Sequence, residues 1–272
     1  MVNKNILIFG NGLVASRLQE TFNCPLVKDK NSFIYIDRLI KKYHPGIIIN
    51  STDYVGNNAD ACELNRDATL EKNVFFPITL AEAAIRNKIK LVHVSSGCLF
   101  HYNYKEAKLI NENAEPDFFD LFYNRTIIYS DQVLARLADR FDILILRIRL
   151  PIDNRPHKRN LLTKLITFKK VIKQPNSVTY IPTFLKAVKH LIKIKARGIY
   201  NIVNTGGLYY PDLLESYKKY KPGLDYKVID FNKLGIIRTN LILSNSKLKK
   251  SGFKIPHINE VLKECVENYI KY

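Results

Sequence analysis

The sequence predicts an α/β protein in which helices cover both faces of a parallel sheet. Short apolar runs such as Asn5–Gly10 and Gly46–Asn50 alternate with longer stretches whose apolar residues recur at helical spacing. The short runs are almost continuously apolar, which is typical of strands buried between two helical layers. A chain of 272 residues can build one large or two modest domains, each with a core of its own.

The first half of the chain gives the elements of this sheet in order. The pattern predicts a strand over 5–10, a helix over 13–22, a second strand ending near Val27 and a helix over 34–43. A strand at 46–50 and a long helix from about 62 to 87 follow. A strand at 90–95, a helix over 124–141 and a strand at 142–149 complete a domain over residues 1–150.

The pattern loosens after Pro151, where proline and glycine residues interrupt the chain at short intervals. One more strand is predicted at 198–203, returning to the sheet of the first domain. We therefore expect residues 151–272 to form mainly a smaller lobe that binds a substrate and closes over it.

Composition excludes several classes of protein. The net charge is +18, from 43 Lys+Arg against 25 Asp+Glu, but the basic residues are scattered and form no nucleic-acid motif, so nucleic acid is not the expected partner. No apolar run is long enough for a membrane span, and the cytosol is the expected compartment. The four cysteines are far apart, which predicts neither a metal site nor a disulfide framework.

The first strand ends in a glycine turn typical of dinucleotide binding. Gly10, Asn11, Gly12, Leu13, Val14 and Ala15 follow the pattern GxGxxG/A, in which glycines let a pyrophosphate approach the backbone at the start of a helix. A small third residue keeps the helix close to the strand. We therefore expect a Rossmann-type domain whose residues 10–14 contact the coenzyme.

The residues after the second strand bear on which coenzyme is used. Asp29 could accept a hydrogen bond from a ribose hydroxyl, whereas Lys28 or Lys30 could hold a 2′-phosphate. With two lysines against one aspartate, the sequence favours NADP(H) over NAD(H).

Several further motifs occur in an order that points to a known family. They are Asn50-Ser-Thr-Asp-Tyr-Val-Gly56, Asp60-Ala-Cys-Glu63, Asn73-Val74, Ser96-Gly-Cys-Leu-Phe100, Glu115 to Tyr123, Arg147-Ile-Arg-Leu-Pro-Ile152, Asn160-Leu-Leu-Thr-Lys164 and Pro175-Asn-Ser-Val-Thr179. In these motifs the chain resembles the extended short-chain dehydrogenase/reductases, and within them the nucleotide-sugar 3,5-epimerase/4-reductases that make UDP-L-rhamnose, and also dTDP-4-dehydrorhamnose reductases. The resemblance implies a UDP-linked 4-keto-6-deoxy sugar as substrate, with a 2-acetamido sugar as an open variant.

The resemblance also assigns roles to individual residues. It implies that Ser96 hydrogen-bonds the 4-keto oxygen and that Tyr123 donates a proton to it, while Cys98 and Lys164 exchange protons at the neighbouring carbons. It further places Asn50, Ser51, Thr52 and Asn73 at the coenzyme. The sugar nucleotide is expected to contact Arg149, Asn160, Asn176, Ser177 and Thr179.

One position departs from the family pattern. The pattern is YxxxK, but the residue four positions after Tyr123 is Ile127, which can neither hold a ribose nor lower the pKa of the tyrosine. Arg125 and Lys158 are candidate replacements. The departure leaves open an epimerase with little reductase activity, or a non-catalytic nucleotide-binding subunit. The oligomeric state is open too, with a homodimer among the options.

Overall fold

The computed structural model describes residue 3 and residues 5–28, 30–55 and 58–272 of the chain. The chain divides into two compact units. The first consists of Met1–Leu99, Pro116–Arg147 and Leu191–Tyr200, and the second consists of Phe100–Glu115, Ile148–His190 and Asn201–Tyr272. Asp29, one of the residues weighed above for the coenzyme, and Gly56 of the first motif lie outside the described residues.

A six-stranded sheet organises the first unit. Its strand order is β2-β1-β3-β4-β5-β9, in which β1 runs parallel to β2 and β3, and β3 runs parallel to β4. All the predicted strands of this region are present. The bounds are β1 Ile6–Phe9, β2 Leu26–Val27, β3 Ile47–Asn50, β4 Lys90–Ser96, β5 Ile143–Ile148 and β9 Gly198–Asn201.

Helices flank this sheet, and one face shows why the strands are apolar throughout. Alternate strand residues, including Leu7, Phe9 and Ile48, pack in one buried cluster with residues of three helices. Their intervening neighbours, such as Ile8 and Ile49, are equally buried. The helices of this unit are α1 Leu13–Phe22, α2 Phe33–Tyr43, α3 Ala61–Leu64, α4 Arg66–Leu70, α5 Phe76–Arg86 and α6 Phe122–Ala138.

The predicted long helix from 62 to 87 is wrong in one respect, because the chain is interrupted there. Asn65 leaves the helical conformation, with φ −127° and ψ 58°, between α3 and α4. A π-helical turn, Glu71–Phe75, then separates α4 from α5. Pro77 explains part of this second break, since it lacks the N–H that a continuous helix would use. The turn directs the buried Asn73 toward the loop after β3, where it bonds both backbone groups of Tyr54.

The second unit has its own core and two small parallel pairs of strands. β6 (Pro151–Ile152) pairs with β8 (Thr179–Tyr180), and β7 (Lys170–Ile172) pairs with β10 (Lys227–Ile229). A buried cluster that includes Leu162, Val178 and Leu213 joins these strands to the helices. The helices are α7 Leu161–Leu165, α8 Ile181–Lys193, α9 Tyr210–Lys218, a 3₁₀ turn at Phe231–Lys233, α10 Ser246–Lys250 and α11 Ile258–Tyr269, with α8 ending in the first unit.

The described ranges, residue 3 and residues 5–28, 30–55 and 58–272, also bear on membrane and metal binding. Within them, no helix combines the length and apolar character that crossing a membrane would need. In the same ranges, no group of three or more His, Cys, Asp or Glu side chains is arranged to hold a metal ion.

Candidate active site

The glycine turn after β1 has geometry that only glycine fits. Gly10 has φ +152°, and a Cβ built on it would lie 2.8 Å from the Ala15 Cβ and 2.9 Å from the Ser51 carbonyl oxygen. Backbone hydrogen bonds from Gly10 N to Val27 O and from Ser51 N to Phe9 O fix the turn between its neighbouring strands. The chain therefore passes through this point with no room for a side chain.

The helix that follows the turn presents free N–H groups to an anion. Gly12 is the N-cap of α1 and supplies no capping side chain, and the fully described first turn of α1 carries no acidic residue. Leu13 is buried while Asn11 is exposed, so the turn meets solvent through its backbone. These features fit the pyrophosphate of a dinucleotide. Val14, half-buried, lies in the same first turn.

Some of the other residues predicted to bind the coenzyme are exposed, whereas others are buried and hydrogen-bonded within the protein. Lys28 and Lys30 are exposed after β2, and the Lys30 ammonium lies 5.6 Å from the centre of the Tyr35 ring. Asn50 is fully buried, where its Oδ1 accepts from the Thr52 N–H and hydroxyl. Buried Asn73 bonds the backbone of Tyr54. Ser51 is half-buried beside Gly10.

The predicted reaction centre lies where β4 ends and α6 begins. Ser96 is the last residue of β4, and its Oγ accepts a hydrogen bond of 3.1 Å from the backbone N–H of Cys98. Tyr123 is in the first turn of α6, and its hydroxyl lies close enough to Ser96 for the serine to influence its pKa. Asn124 donates to the Cys98 carbonyl. The structure therefore brings Ser96, Cys98 and Tyr123 together, all within the first unit.

The surroundings of Tyr123 hold it in the protonated form. Burial raises the pKa of Tyr123 well above its usual range, and the neighbouring Cys98 and Asp53 raise it further, whereas the nearby Ser96 side chain lowers it. Ile127, one turn along α6, is buried. Arg125 is exposed, and its Nε donates to the Phe119 carbonyl at 2.6 Å. This environment favours the neutral phenol of Tyr123.

A buried ionic cluster fixes α6 against the sheet behind this centre. The Asp131 carboxylate pairs with Arg147 on β5 at 2.5 Å and accepts from the Ser95 hydroxyl at 2.9 Å. At the start of α6, the Glu63 carboxylate accepts a hydrogen bond from the Phe122 N–H at 2.7 Å. Ser95 precedes Ser96 in β4, so the cluster holds the strand and helix that carry the reacting groups.

The predicted sugar-binding residues lie in the second unit, where most are bonded to the backbone. Asn160 caps α7 and bonds the backbone of Asp153 and Arg155. The Thr179 hydroxyl accepts from the Arg149 N–H and donates to the Ile202 carbonyl. These contacts describe a rigid frame. Direct contact of Asn160 and Thr179 with a ligand stays a prediction.

The remaining predicted residues of this unit differ in exposure. Ser177 is buried and its Oγ accepts from the Leu243 N–H. Asn176 is buried, bonding the Tyr210 hydroxyl and the Leu241 N–H. Arg149 is buried and donates to the Thr239 carbonyl at 2.6 Å. Lys164, in the last turn of α7, is half-buried.

Comparison with known proteins decides the family. Residues 5–181 match the RmlD substrate binding domain. The chain belongs to the RmlD family. The resemblance drawn from the sequence motifs is thereby confirmed, as is the Rossmann-type fold.

Two plant relatives of this RmlD-family chain are enzymes of sugar metabolism by name. A trifunctional UDP-glucose 4,6-dehydratase/UDP-4-keto-6-deoxy-D-glucose 3,5-epimerase/UDP-4-keto-L-rhamnose-reductase of Arabidopsis thaliana is 30% identical over 88% of this chain and 37% of its own length. The chain spans about a third of the length of such trifunctional relatives. A bifunctional dTDP-4-dehydrorhamnose 3,5-epimerase/dTDP-4-dehydrorhamnose reductase of the same plant is 26% identical, over 95% of this chain and 91% of that protein.

A solved structure supports the fold along the whole length. The crystal structure of a UDP-rhamnose synthase from Acanthamoeba polyphaga mimivirus matches with a TM-score of 0.87 and 23% identity, covering 97% of this chain and 98% of that chain. At this identity the similarity establishes the RmlD-type architecture alone.

Sequence reasoning missed two groups around Tyr123. The negative charge of Asp53 raises the pKa of Tyr123, but in the sequence Asp53 is only one residue within the motif Asn50–Gly56. Glu63 caps α6 from a distant segment. The one available signal for Asp53 was its place in the loop after the buried strand β3, at the edge where parallel sheets present polar residues to ligands. No sequence signal links Glu63 to a helix 59 residues later.

Proposed function

We propose that this chain is a nucleotide-sugar epimerase/reductase that acts on a UDP-linked 4-keto-6-deoxyhexose and yields a UDP-L-rhamnose-type sugar. The observation that carries the proposal is that Ser96, Cys98 and Tyr123 meet where β4 ends and α6 begins: the Cys98 N–H donates to Ser96 Oγ, and Asn124, next to Tyr123, donates to the Cys98 carbonyl. A ketone that is reduced needs a positioned donor for the charge that develops on its oxygen. The family membership and the names of the relatives give independent support.

The glycine turn supports a nicotinamide coenzyme as the reductant. Backbone N–H groups of residues 12–14 would hold its pyrophosphate, and exposed Lys28 and Lys30 favour NADP(H), whose 2′-phosphate they could bind. When bound, the coenzyme supplies the hydride that C4 of the sugar accepts. Tyr123 then gives its proton to the C4 oxygen while Ser96 donates a hydrogen bond to it.

Epimerisation is proposed for a second set of groups. A 4-keto group acidifies the hydrogens on C3 and C5, so inversion requires removal of a proton on one face and its return on the other. We assign these transfers to Cys98 and Lys164. The half-buried positions of both residues are compatible with contact to a ligand.

Ile127 favours a second candidate, an epimerase with weak reductase activity. A buried isoleucine stands where the family pattern has lysine, and Arg125 is exposed with its Nε bonded to the Phe119 carbonyl. Reduction nevertheless asks Tyr123 to give a proton, and a raised pKa supports that direction. Oxidation of the corresponding alcohol needs the phenolate and should be much slower.

One incubation separates these candidates. The chain is mixed with UDP-4-keto-6-deoxyglucose and NADPH in deuterated buffer and followed by NMR. We expect deuterium at C3 and C5 and loss of the ketone. Tyr123→Phe should lower the reduction rate by about 10²–10⁴-fold and leave deuterium uptake intact, whereas Cys98→Ala should stop uptake at one or both carbons.

Each other outcome has a definite reading. Deuterium uptake with no consumption of NADPH by the unaltered chain would leave only the epimerase. A substrate recovered without deuterium and with its ketone would refute the proposal and favour a non-catalytic subunit. The same incubation with the 2-acetamido analogue compares the two substrate variants.

A further inference from the structure

Asp53 occupies a fixed place in the loop after β3. The backbone on both sides of it is anchored: Thr52 donates its N–H to Asn50 Oδ1 at 3.0 Å, and Tyr54 bonds Asn73 through its N–H (2.7 Å) and its carbonyl (3.0 Å). Asp53 itself is half-buried. The backbone that carries the Asp53 side chain is therefore held on both sides by hydrogen bonds.

The same anchoring places Asp53 beside Tyr123. Asn73 Nδ2 also donates to the Thr126 hydroxyl at 3.1 Å, and that hydroxyl donates to the Tyr123 carbonyl at 2.8 Å. One side chain thus joins the loop to the first turn of α6. The Asp53 charge acts on the Tyr123 hydroxyl and on the Cys62 thiol, raising the pKa of both.

The other end of the loop touches the glycine turn. Ser51, two residues before Asp53, has its carbonyl oxygen 2.9 Å from the Cβ that Gly10 would carry. Two residues span at most about 7 Å of extended chain. In a dinucleotide, the ribose covalently joins the pyrophosphate to the nicotinamide. If the pyrophosphate lies at Gly10 and the nicotinamide lies at Tyr123, the ribose that joins them must pass Asp53, which lies between these two positions.

We propose that Asp53 holds the ribose of the nicotinamide half, its carboxylate accepting hydrogen bonds from the two vicinal hydroxyls. The inference rests on the proposed function, because it takes a nicotinamide coenzyme as the ligand. An ionised carboxylate has only acceptor sites and suits a diol, which has two donors. Ile127, one turn after Tyr123, has no group that could do this. Asp53 thus positions the coenzyme through its ribose.

Two ligands that differ by the nicotinamide half test the proposal directly. Calorimetry measures the Kd of NADPH and of 2′,5′-ADP, which contains the adenosine half alone, for the full chain and for Asp53→Ala. We expect the Kd of NADPH to rise by at least about tenfold and the Kd of 2′,5′-ADP to stay unchanged. Asp53→Asn, which keeps one acceptor oxygen, should give an intermediate loss. If the unaltered chain prefers NADH, then NADH and 5′-ADP form the pair.

A matched variant controls for the loss of charge. Asp139 is exposed and follows the far end of α6, about 24 Å from Tyr123 along the helix axis. Asp139→Asn removes the same charge and should leave both affinities unchanged. Equal weakening of both ligands in Asp53→Ala, or no weakening of either, overturns the inference while leaving the function intact. An unaltered chain that binds neither coenzyme refutes the proposed function and this inference with it.

Discussion

The glycine turn of the first unit and the buried polar set of the second were predicted from motifs in the same way, yet they use their residues differently. At Gly10–Ala15 the chain offers backbone groups, because a side chain at Gly10 would collide with Ala15 and Ser51. In the set made of Asn160, Ser177 and Thr179, polar side chains bond the protein's own backbone. A ligand is recognised by groups that the fold leaves available, and the two regions differ in that respect.

The difference teaches how a motif should be interpreted. A polar residue in a motif can be retained because it contacts a ligand or because it satisfies buried backbone groups, which are costly to leave unpaired. Asn50 shows the second case inside the first unit, since it is fully buried and bonded to Thr52 and His93. The hydrogen-bond partners of a residue show whether it can contact a ligand or satisfies buried backbone groups, whereas its residue type does not.

The largest expected effect is at the turn. Gly10→Ala introduces a Cβ within 2.9 Å of two groups at φ +152°, a combination of overpacking and backbone strain. We expect a cost of about 4 kcal/mol in the free energy of unfolding and loss of measurable NADPH binding. Thermal unfolding and calorimetric titration measure the two effects.

Two variants make this prediction specific. Gly223→Ala adds the same methyl group where nothing lies within 4 Å, and it should change neither quantity. The double variant Gly10→Ala/Ala15→Gly removes the 2.8 Å contact with Ala15 but keeps the contact with Ser51, so it should recover stability only in part. An unaffected coenzyme affinity in Gly10→Ala would mean that the coenzyme does not approach the turn.

The fold was predictable from the sequence because its signals are local. Apolar runs bounded by glycine or proline located the strands of the first unit, and Gly10–Ala15 fixed the first turn. The interruptions within 62–87 were missed. The π-helical turn at Glu71–Phe75 serves a contact with a distant residue, because its Asn73 donates to the Thr126 hydroxyl. Apolar periodicity carries no information about such contacts.

The candidate site could be predicted only in its chemistry. The motifs identified Ser96, Cys98 and Tyr123 by type, and the structure places them together. The environment of Tyr123 depends on Asp53, which approaches through Asn73 from another segment. Charges that converge through tertiary structure are invisible in a linear pattern, so the sequence did not reveal that burial, Cys98 and Asp53 together raise the pKa of Tyr123.

The second-largest expected effect concerns His93, a buried residue of β4. Burial lowers the pKa of His93 to about 4, against a smaller opposing effect of Asp131, while an unfolded histidine titrates near about 6.5. Between these values the unfolded chain binds a proton that the folded chain does not. Stability should therefore fall by about 3 kcal/mol as the pH drops from about 6.5 to about 4, and the contribution of His93 levels off below that.

A single substitution isolates this histidine from the carboxylates that titrate in the same range. His93→Gln keeps an oxygen that can accept from Asn50 Nδ2, as the His93 Nδ1 does at 3.1 Å. Urea unfolding at several pH values should show a flatter acid limb in this variant than in the unaltered chain. Identical acid limbs would mean that His93 is protonated in the folded state.

The smallest effect tests the buried polar set of the second unit. Thr179→Val keeps the shape of the side chain but removes the hydroxyl that accepts from Arg149 N–H at 2.9 Å and donates to Ile202 O at 2.6 Å. Leaving such buried groups without this partner should cost about 2 kcal/mol in unfolding free energy, and Thr179→Ser should restore most of it. If the residue belongs to the frame, KM for the nucleotide sugar stays constant while the melting temperature falls. A raised KM at unchanged stability would instead assign Thr179 to the ligand and remove the contrast with the glycine turn.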